Sequence, residues 1–243
     1  MEFPRKKNKF FVFFFRKVFI HMLKKNFFAI RIKNSSEVFK FIEKSKTSNV
    51  PVVFVLNHPN WWDAAVVIWL GYDFLKTGGY CIMENKQILE HPFFLKIGAI
   101  PIVREDNRKS LMSLNFAASL LKQRFESLYL FPQGEITPNE KRDSRFYSGV
   151  SFLIEKLEKV NLVYIHLDYK YTTEQMPEIF INFFRTEEFV EGLNSDRNEF
   201  TDTIKKHFNK VNDEFREAYS DNKLESFEVV MRGKKSLDKK KLF

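Results

Sequence analysis

Cysteine is nearly missing from this chain: Cys81 stands alone among 243 residues. An intramolecular disulfide framework and a cysteine-built zinc cluster are both excluded, and packing is the reading that one thiol invites. Long apolar runs are missing too. In the Phe-rich amino-terminal segment the longest unbroken one, residues 10–15, has six members, whereas a spanning helix needs about 20. A secretory signal needs a longer apolar stretch and a small-residue cleavage site. The chain reads as neither secreted nor membrane-spanning. Glycine and proline are sparse, eight of each, so collagenous and low-complexity classes fall away. There is no G-x-S-x-G, no P-loop and no G-x-G-x-x-G. No internal repeat or interdomain linker is visible. What remains is enough chain for one large domain with a sizeable core.

Phenylalanine and charge are plentiful and unevenly placed. Phe occurs 29 times. Residues 1–50 hold 13 Lys and Arg against Glu2, Glu37 and Glu43, a balance of +10 in a chain that totals +9. Residues 232–243 carry +5, which leaves about −6 for residues 51–231. A nucleic-acid binder usually bears its positive field on the folded domain. Here the field sits on the two ends, which fits a membrane surface, and nucleic acid is not expected as a partner. Over residues 10–32, helical spacing of about 100° per residue puts Phe11, Phe14, Phe15, Val18, Phe19 and Met22 on one face. Lys9, Arg16, Lys17 and Lys24 group opposite, while Phe13, Ile20 and Lys25 break the rule. That pattern suits a helix lying in a bilayer interface. It also suits a helix packed on its own core with solvated lysines.

Three segments are expected: a basic amphipathic docking segment over 1–35, a folded domain over 36–225, and a basic tail over 226–243. In the domain, residues 52–56, 80–83, 128–131, 162–167 and 179–184 read as strands. Residues 60–70, 111–125, 149–157 and 196–219 have helical spacing. Strands alternating with helices predict an α/β fold, a mainly parallel central sheet flanked by helices.

The most informative stretch follows the first of these strands: Asn57-His58-Pro59-Asn60-Trp61-Trp62-Asp63. On one continuous helix His58 and Asp63 would lie about 140° apart, so they meet only if the chain bends between them. Pro59 supplies the bend, since the residue before proline avoids the α region and proline is favoured at a first helical position. His58 is then expected just outside a helix, with Asp63 in its second turn. A carboxylate so placed holds an imidazole in one tautomer, the base-and-orienter half of a triad. With no serine nucleophile beside it, such a pair suits direct activation of a substrate hydroxyl or amine. Its alternative reading is a strand-end histidine with one hydrogen bond. The other histidines, His21, His91, His166 and His207, lack metal-ligand spacing, and His166 is expected to be packed and hydrogen-bonded. Trp61 and Trp62 read equally as a channel wall, an interface anchor or core.

Two further stretches complete a series. Gly98, Ile100 and Arg104 form G-x-I-x-x-x-R, and Phe131-Pro132-Gln133-Gly134-Glu135-Ile136-Thr137 follows a strand. With the first block and the apolar strand at 162–167, the sequence over residues 50–170 resembles the glycerolipid/lysophospholipid acyltransferase family, 1-acyl-glycerol-3-phosphate acyltransferases among them. The family's blocks are N-H-x-x-x-x-D, G-x-I-x-x-x-R, F-P-E-G-T-R-S and an apolar strand. The first two are matched, the third only at Phe131, Pro132 and Gly134, and the fourth lacks the usual proline.

The resemblance implies acyl transfer from acyl-CoA or acyl-ACP to a lipid hydroxyl, with no further cofactor and no metal. His58 would be the general base and Asp63 its orienter, with backbone N–H groups near Asn60 as oxyanion partners. Arg104 and the third block would bind an acceptor phosphate, with Asn57, Gly98, Phe131, Pro132, Gln133, Gly134 and Glu135 completing the substrate site. The third block departs from the pattern: Gln133 stands for Glu, Glu135 for Thr and Ile136 for Arg. Losing a cation and gaining an anion favours a non-phosphorylated amphiphile, unless Arg142 and Arg145 compensate. The expected place of work is the cytoplasmic face of a membrane, as a peripheral protein. A relative that binds lipid or carrier protein without turnover is the alternative.

Overall fold

The computed structural model describes residues 2–4, 6–123, 125–193 and 195–235. Its centre is a strand with no polar side chain: β2 (Val52–Leu56, VVFVL), buried at all five positions. Branched and aromatic side chains suit a pleat covered on both faces. β2 runs parallel to β5 (Ser127–Leu130) on one side and to β6 (Lys159–Lys170) on the other. Beyond β5 lie β3 (Tyr80–Glu84) and β4 (Ala99–Ile102), both parallel. Beyond β6 the sheet continues through β7 (Glu178–Val190), β1 (Ala29–Lys33) and β8 (Glu228–Arg232). The order is β4-β3-β5-β2-β6-β7-β1-β8, with antiparallel pairs at β6·β7 and β1·β8. The α/β fold with its mainly parallel sheet is as the sequence predicts.

Alternation along β2 divides the core. Val52, Phe54 and Leu56 face one layer with α1 (Lys9–Asn26), α2 (Ser35–Thr47) and α3 (Asp63–Trp69). Val53 and Val55 face the other, with α6 (Asn107–Gln123), α7 (Gly149–Lys156) and the polar α8 (Arg197–Ser220). Two short helices, α4 (Asn85–Glu90) and α5 (Phe93–Ile97), bridge β3 to β4, and α3 passes directly into a π-helical turn, Leu70–Phe74.

Both expected segment boundaries cut through this sheet. The amphipathic pattern over 10–32 ends as a helix at Asn26, and Ala29–Lys33 pairs in register with β7, Ile30 opposite Ile179 and Ile32 opposite Ile181. Within the basic tail expected over 226–243, Glu228–Arg232 is the edge strand; residues 236–243 lie outside the described residues. Helix α1 is capped by Asn8, whose side chain accepts the amides of Phe10 and Phe11, and it ends with Lys24 and Lys25 on the carbonyl side of its dipole. Its apolar face is turned largely onto the protein. Phe19 and Leu23 are buried, and Phe15 stacks on Phe93 of α5 at 3.9 Å between centroids. Arg16, expected on the solvated side, forms a two-pronged ion pair with Asp73. Phe10, Phe13 and Phe14 stay exposed. Among the described residues no helix is long and apolar enough to cross a membrane.

Candidate active site

β2 delivers Asn57 and His58 at its carboxyl end, where parallel α/β sheets build sites. Asn57 is buried and works as a latch. Its amide donates to the Leu167 carbonyl at 2.8 Å and its oxygen accepts the Leu167 N–H at 2.7 Å, tying the end of β2 to β6. The next residue departs from the sheet. Its backbone is clamped by the loop after β5: the His58 N–H donates to Gln133 Oε1 at 2.6 Å, and its carbonyl accepts the Thr137 amide at 2.8 Å.

The expected bend is present, with a different helix start. Asp63 is the first residue of α3 rather than a member of its second turn. Its carboxylate folds back over the turn, accepting the Asn60 N–H at 3.0 Å and His58 Nδ1 at 2.6 Å on Oδ2. An ionised carboxylate only accepts, so Nδ1 carries the proton and Nε2 is left as the ring's basic nitrogen. The other oxygen, Oδ1, accepts the phenol of Tyr169 at 2.5 Å. Asp63 is wholly buried. Burial pushes its carboxyl above the ordinary 3.8, and the hydrogen bonds to His58, Tyr169 and Asn60 hold it back. Burial, with the Asp63 charge beside it, drives the Tyr169 phenol well above 10, so it remains a donor. Tyr169 was not foreseen. It stands 106 residues from Asp63 in sequence, and a tyrosine near a strand end carries no local mark of such a role.

The imidazole lies against the Phe131 ring, 4.4 Å between centroids, and forms part of the wall of a cavity of about 770 Å³. Arg104, Phe131, Pro132, Gly134 and Glu135 line the same cavity. Gln133 does not, its side chain being spent on the His58 amide, and Asn57 is turned to β6 instead. Gly98 is not in the wall either. It ends α5 with φ +109°, and a Cβ there would come within 3.1 Å of the Gly79 carbonyl, so its part is to turn the chain into β4. Gly134 has φ +69°, and a Cβ would stand 3.0 Å from both Arg104 Cδ and Tyr147 Cε2. The turn is thereby pressed against the Arg104 stem. Arg104 donates from Nε to Glu84 at 2.8 Å and faces Glu135 at 3.5 Å. Burial works against its charge, but these carboxylates outweigh it and hold the guanidinium's pKa above its usual value.

The amides near Asn60 are engaged. Asn60 N–H donates to Asp63, Trp62 N–H to Asn60 Oδ1, and Asp63 N–H to the Asn60 carbonyl; these three are spent within the turn itself. Trp61 is exposed and lines the cavity, whereas Trp62 packs edge-on against Phe27 in the core. Cys81 also reaches the wall, but burial pushes its thiol up to about 12, so no thiolate competes with His58 as the reactive group. His166 is packed beside Phe215, and burial lowers its pKa to about 4. Among the described residues no group of three or more His, Cys, Asp or Glu is arranged to hold a metal ion.

A carboxylate-oriented imidazole in the wall of a cleft is consistent with a His–Asp catalytic pair. The family model for Acyltransferase matches residues 29–167, more than half of the chain, and the chain belongs to that family. The match begins with β1 and takes in all four sequence blocks. No curated protein sequence matches the chain.

Proposed function

We propose that the protein is an O-acyltransferase. It moves a fatty acyl group from acyl-CoA or acyl-ACP to the hydroxyl of a lipid acceptor at a membrane surface, as in the glycerolipid acyltransferases it resembles. The observation that carries the reading is the His58 ring: Nδ1 is held at 2.6 Å by a fully buried carboxylate while the ring stands in the wall of a large cleft. The acceptor O–H gives its proton to Nε2 as its oxygen attacks the thioester carbonyl carbon. The carbonyl electron pair moves onto oxygen, forming a tetrahedral intermediate. When that pair returns, the C–S bond breaks, and the leaving thiolate takes the proton from Nε2. Asp63 holds the ring in register throughout and offsets the charge of the transient imidazolium.

The test is transfer of a labelled acyl group from acyl-CoA and from acyl-ACP into a membrane lipid extract. His58→Ala is expected to lower it about 10²–10⁴-fold with an unchanged circular dichroism spectrum. Full activity in that variant refutes the mechanism. Lipid or carrier binding by the wild type with no product makes the protein a binding relative instead.

A further inference from the structure

Resting on the acyl-transfer reading above, we propose that the acceptor carries no phosphate and that Glu135 and Ile136 set this preference. The resemblance implies Arg104 as the phosphate-binding cation, and Arg104 does line the cavity. Its charge is already used. Nε donates to Glu84 Oε2 at 2.8 Å, and Nη1 lies 3.5 Å from Glu135 Oε2. Glu84 is itself fixed, nearly buried and accepting the Asn85 amide at 3.0 Å through its other oxygen. Two carboxylates therefore address one guanidinium from different sides.

Of the downstream arginines that could restore a positive surplus, Arg145 reaches the cavity and Arg142 does not. Position 136, where the family pattern has arginine, offers the cavity an exposed isoleucine. Arg142 is paired with Asp213 of α8 and is absent from the cavity wall. Arg145 does line the cavity, held 4.5 Å over the Tyr147 ring. Around the wall the carboxylates Glu84, Glu90 and Glu135 outnumber the guanidiniums Arg104 and Arg145. A phosphate monoester brings a charge of about −1.5 to −2 at pH 7. To reach Arg104 Nη1 it must displace or lie against the Glu135 carboxylate, where like charges repel. The backbone of the turn at Gly134 is seated against the Arg104 stem and Tyr147, which places position 135 beside the guanidinium. A hydroxyl-bearing headgroup without phosphate meets none of these costs. It also finds in Ile136, Leu111 and Phe131 an apolar wall for the adjoining chain.

The experiment divides a membrane lipid extract into a phosphate-containing and a phosphate-free pool, checked by phosphorus assay. Each pool is offered to the protein with labelled acyl-CoA or acyl-ACP, with His58→Ala as the blank. Label is expected at least tenfold more in products of the phosphate-free pool. In the double variant Glu135→Thr, Ile136→Arg, both positions being exposed, the ratio of phosphate-containing to phosphate-free product is expected to rise at least tenfold. Label mainly in the phosphate-containing pool of the wild type overturns the proposal, as does a ratio that the double variant leaves unmoved. No label in either pool removes the acyl-transfer reading itself, and this proposal with it.

Discussion

At the scale of the residue, Asp63 combines two demands that pull apart. Orientation of His58 wants an ionised carboxylate, and complete burial opposes one. Three donors, His58 Nδ1, the Asn60 amide and the Tyr169 phenol, hold it in place, yet its folded-state pKa still lies above 3.8. A carboxyl raised in the folded state favours folding fully only below its unfolded value. That contribution is lost as the pH rises through the folded value. At neutral pH the ionised Asp63 therefore costs the fold stability that catalysis requires. Asp63→Asn keeps the shape and removes the charge. Its thermal midpoint relative to that of the wild type is expected to rise as the pH climbs from 3.8 to 7, on top of a constant loss from the Asn60 N–H that an amide nitrogen cannot accept. Activity is expected to drop about 10⁴-fold, because an amide facing Nδ1 selects the tautomer whose Nε2 already carries the proton. Melting curves of the two proteins across that range check it, and a difference that stays flat or moves toward the wild type as the pH rises contradicts it.

At the scale of the element, the site is a junction between ends of strands, and Asn57 is its fastening. Both atoms of its side-chain amide are spent on Leu167 of β6. Asn57→Ala strands the buried Leu167 N–H at about 1–3 kcal/mol before relaxation, while the Leu167 carbonyl keeps the Asn139 amide at 2.9 Å. A loss of about 1–3 kcal/mol is expected, about 2–12 °C in midpoint for a chain of this length. Urea or thermal unfolding reads this directly, and a midpoint within a degree of wild type would show that the latch is idle. What the sequence disclosed at this scale follows from locality. β2 was legible to the residue because five consecutive apolar, mostly branched side chains admit little else. The His58–Asp63 pair was legible because a proline bend lies within six residues. β1 was missed because a Phe-rich helical pattern ran up to it, although Ile30 and Ile32 alternating with Arg31 and Lys33 carried the period of a strand. Gly98 read as part of a binding block, since spacing alone does not say which end of a strand a residue occupies. The use of Gln133 and Tyr169 was beyond reach, both contacts being made across the fold by single side chains.

At the scale of the whole molecule, the protein's basic excess and a cluster of exposed phenylalanines belong to the same end of the chain. The basic excess of residues 1–50 surrounds α1, and Phe10, Phe13 and Phe14 of that helix are each half exposed or more. The rest of the helix's apolar face is satisfied by the core, so these rings are what it offers outward. Helix α1 packs on α5, whose neighbourhood opens to the cavity through Phe94, and Trp61, Leu111 and Ile136 are exposed in the cavity wall. On the proposed function, a lipid acceptor would enter from a surface on which α1 rests. Three rings immersed even in part contribute from the range of about 1.5–3 kcal/mol for each fully buried Phe. Basic residues near an anionic leaflet add about 1 kcal/mol each. Neither signal needs the helix to leave the domain, and Lys6, Lys9 and Lys17 are exposed beside the rings. The triple variant Phe10→Ser, Phe13→Ser, Phe14→Ser is expected to bind vesicles of mixed phosphatidylcholine and phosphatidylglycerol at least tenfold more weakly while keeping its fold. Raising the salt from about 0.1 M to 1 M shortens the screening length from about 10 Å to 3 Å and is expected to weaken the wild type as well, leaving the apolar part. Sedimentation with vesicles separates the two terms. Equal pelleting of variant and wild type would mean that the exposed rings carry no docking energy and that the acceptor reaches His58 by another route.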